Sequence, residues 1–123
     1  MTFGSILAGG AAAAFLALGA GSLAAPRALS ENYGLPVDGP DQVAYLRALG
    51  MRDAVLGLIV AVFLARGARE PLATTLALSA LVGAADFTLV FRARGRAAGS
   101  SLLIHGTGTL GLLAVAALVR AGR

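Results

Sequence analysis

Gly50-Met51-Arg52-Asp53-Ala54-Val55-Leu56-Gly57 is the stretch on which the fold turns. It sets an arginine beside an aspartate inside a segment that is otherwise apolar as far as Ala65. In water this would mean little. In a segment long enough to cross a membrane, an ionisable side chain is costly and marks a functional site by default. Two other apolar segments carry one ionisable residue each, Asp86 and His105.

Composition sets the frame for that stretch. Hydrophobic residues make up 58% of the 123 and charged residues 13%, against about one quarter charged in a soluble domain. A soluble helical protein would also show a polar face on every helix, and these segments have almost none. The net charge is +4, and every basic residue is arginine. Apart from Arg52 the arginines stand at the ends of the apolar segments, as membrane anchors do. No basic stripe interleaved with aromatics is present, which argues against nucleic acid as a partner. The chain has no cysteine, so disulfides, thiolate metal sites and cysteine nucleophiles are excluded. High alanine, glycine and arginine without lysine points to a bacterial source.

These features predict an all-α protein, a bundle of four transmembrane helices in a single domain, with spans near 4–25, 44–65, 71–91 and 100–119. Each is close to the roughly 20 residues that crossing requires. The first has no Lys or Arg before Arg27, unlike a signal peptide with its positive n-region, and reads as a retained helix ended by Pro26. Gly9, Ala13, Ala17 and Gly21 fall at i, i+4 spacing and predict a helix-packing stripe. The first loop, Arg27 to Pro40, is either a lid or a solvated connection; Asp38 or Asp41 can cap the helix that follows. Tyr45 and Arg47 suit the interface. On the second span Gly50, Asp53, Ala54, Gly57 and Ala61 share a face, while Arg52 points to a neighbouring one. Pro71 opens the third span as a first-turn proline. There Thr75, Ser79, Gly83, Asp86 and Val90 share a face. Arg92-Ala93-Arg94-Gly95-Arg96 is a short basic loop suited to anionic headgroups, and Gly99-Ser100-Ser101 caps the fourth span. His105 lies early in that span, followed by Gly106, Thr107, Gly108, Thr109 and Gly111.

Four spans put the first and third loops on one side. Counted from that side by helix rise, Arg52 and Asp53 lie about 10–12 Å in, Asp86 about 8 Å and His105 about 8–9 Å. Three helices thus bring ionisable groups to one layer. The cost of leaving them unpaired, roughly 2.5–3.5 kcal/mol for a central Arg or Asp, predicts that Arg52 bridges to Asp53, Asp86 or both, with His105 against a carboxylate. Such a network either locks the bundle or forms a pocket, in which a histidine beside a carboxylate moves protons near neutral pH. Asp53, Asp86 and His105 also have the composition of a facial metal triad, but Arg52 would repel a cation, and no metal or cofactor is expected.

Gly50-x-Arg52-Asp53 with Gly57, an aspartate late in the third helix and a histidine early in the fourth resembles an uncharacterised family of small four-helix integral membrane proteins. That family is known as a domain of unknown function and is broadly similar in layout to DoxX-like membrane proteins. The likeness covers nearly the whole chain, including the Pro26 exit and Tyr33-Gly34-Leu35-Pro36. It implies a four-helix fold and marks Gly50, Arg52, Asp53, Gly57, Asp86 and His105, without assigning an activity.

The leading functional expectation is an intramembrane polar site that binds a small amphipathic molecule. His105, Asp53 and Asp86 would be the acid–base groups, with Arg52, Gly50, Gly57, Tyr33 and Thr109 around the ligand. A proton-coupled transporter or small channel, and a structural or partner-binding membrane subunit, stay open beside it. The setting is the lipid bilayer of a cell membrane, in a bacterium the inner one. Arg27, Arg47, Arg92, Arg94 and Arg96 lie on the loop-one side and Arg66, Arg69, Arg120 and Arg123 on the other. So small an excess, with Arg27 just after the first helix, leans toward loops one and three in the cytoplasm. It also admits dual insertion and a homodimer.

Overall fold

The computed structural model describes residues 1–123 and is all-α. Four long helices, α1 (Phe3–Ala24), α3 (Pro40–Ala65), α4 (Arg69–Arg94) and α5 (Gly99–Arg120), are joined by a short helix α2 (Pro26–Tyr33), a tight turn, and a 3-10 turn at Gly95–Ala98. Three helical stretches are long and apolar enough to cross a membrane: Phe3–Ala24, Pro40–Ala65 and the 52-residue Arg69–Arg120. The last doubles back at its 3-10 turn, so it contributes two antiparallel helices: Gly83 meets Thr109, and Gly106 lies beside Phe87.

The helices are turned outward in the sense that lipid demands. Leu81, Leu103, Ile104 and Leu110 stand exposed in mid-helix, where water would penalise them. Hydroxyls are turned inward on the backbone: Ser79, Thr88, Thr107 and Thr109 each donate to the carbonyl four residues earlier. That satisfies a polar group where no water is at hand. These features are consistent with a membrane protein.

Two antiparallel pairs, α1 with α3 and α4 with α5, make the closest contacts. Between α1 and α3 the backbones nearly touch. A Cβ added at Gly19 would lie 2.7 Å from Ala54 and from the Gly50 carbonyl, one at Gly57 would strike Leu16 and Ala12, and one at Gly50 would collide with Ser22. The expected small face of the second span is therefore the one that packs. The stripe expected on α1 is not: Ala13 and Ala17 are exposed, and Ala8, Ala12, Gly19 and Ser22 are buried instead. This helix carries small residues all round, so spacing alone selects no face.

The two pairs close together at the end that holds the α3–α4 turn, around Ala8, Ala12, Val60, Leu72, Ala73, Leu76, Ala116 and Val119. The opposite end is completed by α2. The first loop is thus half helical. Pro26 opens α2 at its first position and Gly34, at φ +98°, ends it, the arrangement that suits a proline start and a left-handed glycine stop. Gly34 also lies so close to Ser101 and Val90 that a side chain there would collide. Ser30, buried, donates to the Arg27 carbonyl and accepts from the Val37 amide.

Several helix ends differ from expectation. Neither Asp38 nor Asp41 caps α3; the Gln42 side chain accepts from the Asp38 and Gly39 amides. Its longer reach brings two donors to one oxygen. Pro71 is in the first turn of α4 as expected, but the helix starts two residues before it, at Arg69, and runs on through Arg94; the serines at the start of α5 make no cap bond. Ser101 is buried facing Gly34.

Candidate functional site: a polar layer bridged by Tyr33

At the α2 end, three helices and α2 bring their polar side chains together. Tyr33, the last residue of α2, donates its hydroxyl to Asp86 Oδ1 at 2.7 Å. Its main-chain carbonyl stands 2.9 Å from His105 Nε2. A carbonyl only accepts, so Nε2 carries the proton, and in the neutral ring Nδ1 keeps its lone pair. The two rings meet edge to face, with centroids 4.7 Å apart and planes at 74°. One residue therefore joins α4 to α5 through opposite ends of itself.

Arg52 and Asp53 form the second half of the layer. Arg52 Nε and Nη2 both donate to Asp53 Oδ1, at 3.2 and 3.0 Å. The Arg52 side chain is 41% exposed and that of Asp53 20%, so the guanidinium lies toward the surface and the carboxylate toward the interior. Burial is the main reason that the Tyr33 hydroxyl is held well above the ordinary tyrosine value. The hydrogen bond and negative charge of Asp86 add to the rise, Asp53 contributes further, and Arg52 opposes it. Both halves of the layer thus act on the same phenol.

The structure departs from several expectations here. The Arg52–Asp53 bridge is one of those expected, but Asp86 takes no part in it and is partnered by Tyr33. His105 meets the Tyr33 carbonyl and not a carboxylate. Asp53, Asp86 and His105 do not converge as a metal triad, and no three metal-ligating side chains are grouped to hold an ion. Gly50 and Gly57 face α1, where only a hydrogen fits. Thr109 is turned onto the His105 carbonyl, and its hydroxyl fills the space above Gly83. These three pack helices rather than line the layer. Distance from a helix's own start does not set depth: α3 begins at Pro40, ahead of the span expected from residue 44, which puts Arg52 and Asp53 about 18–20 Å from its start, against about 9 Å for His105 in α5. The first turns of α3 run beside α2, beyond the layer.

What the sequence did not show was the central place of Tyr33. It was one ligand candidate among five, on a segment without periodicity. The signal was present in the bracket of Pro26 and Gly34, which marks eight residues as a helix and puts Tyr33 at its inner end.

A family model described as Domain of unknown function (DUF4267) matches residues 12–119. The chain belongs to that family. No curated protein and no solved structure matches it. The matched residues take in Tyr33, Arg52, Asp53, Asp86 and His105, so the whole layer lies inside the DUF4267 domain.

Proposed function

We propose that this DUF4267 protein is a multi-pass protein of the cell membrane, in a bacterium the inner one, whose polar layer binds a small amphipathic molecule from the α2 side. The observation that carries the proposal is the double engagement of Tyr33. Asp86 and His105 are tied together by a residue of the one helix too short to span. The main apolar core lies at the other end of the bundle. Displacing α2 would therefore uncover the layer without opening that core. A polar headgroup would then take the place of Tyr33, Arg52 would hold its anionic part, and the tail would lie among the helices. With Nε2 engaged as a donor, His105 has Nδ1 left to accept a proton, which permits acid–base chemistry with Asp86. The Gly50-x-Arg52-Asp53 segment would be the signature of this site.

Proton transport is the second reading, favoured by the nearness of Asp86 and His105 on either side of Tyr33, although the Tyr33 carbonyl only accepts and relays no proton between them. Against it, the hydroxyl of Ser79, farther along α4, is turned back on its own helix, and no charged residue carries a proton path onward. A dansyl-labelled fatty acid titrated into protein in phosphatidylcholine nanodiscs tests the binding site. Saturable binding is expected, weakened about tenfold or more in Arg52→Gln, the loss that 1.4 kcal/mol would give. Equal binding by Arg52→Gln, Tyr33→Phe and the unaltered protein would remove the layer as the site. Proton-driven flux in liposomes would favour the transporter.

A further inference from the structure

A second feature lies along the α4–α5 pair, and none of the side chains of the polar layer lines it. A cleft of about 500 Å³ runs along it, lined by Phe87 on α4 and by Leu102, Leu103, Gly106 and Leu110 on α5, with Arg96 at its upper end. Gly106 lies in its floor beside Phe87, whose ring atoms would stand 3.7 Å from an added Cβ. The rings of Phe87 and Phe91 lie parallel, 6.4 Å apart. Arg94, seven residues after Phe87, falls on the same side of α4. Arg94 and Arg96 are exposed and neither is in an ion pair.

We propose that this cleft is a binding site for one anionic phospholipid, with its phosphate on Arg94 and Arg96 and one acyl chain along the cleft. The charge is complementary, and the two arginines flank Gly95, where the chain turns from α4 toward α5. From Gly99 to Leu110 the cleft wall is about 16 Å long by helix rise. That is close to half of a hydrocarbon core of about 30 Å, the depth of one leaflet. Basic residues at a membrane surface attract anionic lipids; the cleft beneath adds a seat for the tail, which a bare arginine cluster lacks. The proposal depends on membrane insertion and not on the polar layer.

The test is native mass spectrometry of the protein released from nanodiscs of equal parts phosphatidylglycerol and phosphatidylcholine. Retained phosphatidylglycerol should exceed phosphatidylcholine. Arg94→Gln and Arg96→Gln should each lower that excess about fivefold, the factor that 1 kcal/mol per basic residue represents. Arg66→Gln, at the opposite end of the bundle, should leave it unchanged. Gly106→Leu fills the floor with both arginines intact and should abolish retention of the lipid. An unchanged excess in both arginine variants overturns the proposal. So does full retention in Gly106→Leu, which would reduce the feature to headgroup attraction without a seat. Circular dichroism of each variant confirms that its helices are intact before either result is read.

Discussion

Tyr33 places both its hydroxyl and its carbonyl inside the layer, and each faces a different helix. Its hydroxyl should therefore titrate abnormally. Burial and Asp86 raise its ionisation above the value of a free tyrosine, about 10. Folding thus favours the protonated phenol. The stability this supplies is whole below about pH 10 and is lost as pH rises through the higher folded value. With two tyrosines in the chain, Tyr45→Phe leaves Tyr33 as the only phenol to follow by phenolate absorbance. Its midpoint should lie above that of free tyrosine and fall toward it in Asp86→Asn; an ordinary midpoint in the Tyr45→Phe protein would show that Tyr33 is not held as described. Tyr33→Phe should destabilise the detergent-solubilised protein by about 1.5–3 kcal/mol, as for a hydrogen bond to a charged group. Of the candidate residues, the sequence showed which side chains were costly in a bilayer. It could not show that a neutral phenol would pair with Asp86, because cost identifies a group that needs a partner and not the partner it finds.

At the scale of elements, the four long helices were legible because each is an apolar run of sufficient length, a property of the segment by itself. Their contact faces were legible only where polarity varied. α4 sets Ser79, Gly83 and Asp86 on its inner side as its sequence suggests, whereas α1 carries Ala and Gly on every side, and the stripe expected on it is not the buried one. The contact that α1 makes with α3 predicts a contrast between glycines. At Gly10 and Gly111 nothing stands within 4 Å of an added Cβ, so Gly→Ala should gain helix propensity, up to about 1 kcal/mol. At Gly19 and Gly50 the same change forces the two backbones apart and should cost about 1–3 kcal/mol, as overpacking does. Thermal melts followed by circular dichroism should separate the two groups, upward for Gly10→Ala and Gly111→Ala and downward for Gly19→Ala and Gly50→Ala. Four melts shifted in the same direction would mean that α1 and α3 do not pack as seen.

For the whole molecule, the two ends of the bundle differ in kind. One is closed by apolar side chains around Leu76 and Val60, the other by α2 over charged groups. Which end faces the cytoplasm decides which pool of molecules reaches the layer. On the α2 side Arg92, Arg94 and Arg96 lie at the end of α4 and in the turn after it, with Arg27 at the start of α2. On the far side Arg120 is paired with Glu70 at 3.3 Å, although acidic neighbours count little in the positive-inside rule. The arginine excess is small, but the first helix usually sets the orientation, and Arg27 follows it directly. The expected arrangement puts α2 and the polar layer at the cytoplasmic face and the α3–α4 turn outside. A reporter active only in the periplasm, fused after Arg123, should then be active, and its cytoplasmic counterpart silent. The reverse pattern would open the layer to the periplasm. Comparable signals from both would mean that the chain inserts either way, the arrangement from which an antiparallel homodimer is built. Adding a lysine beside Arg27 should then shift that balance toward the first pattern, because charge next to the first helix is what the balance rests on.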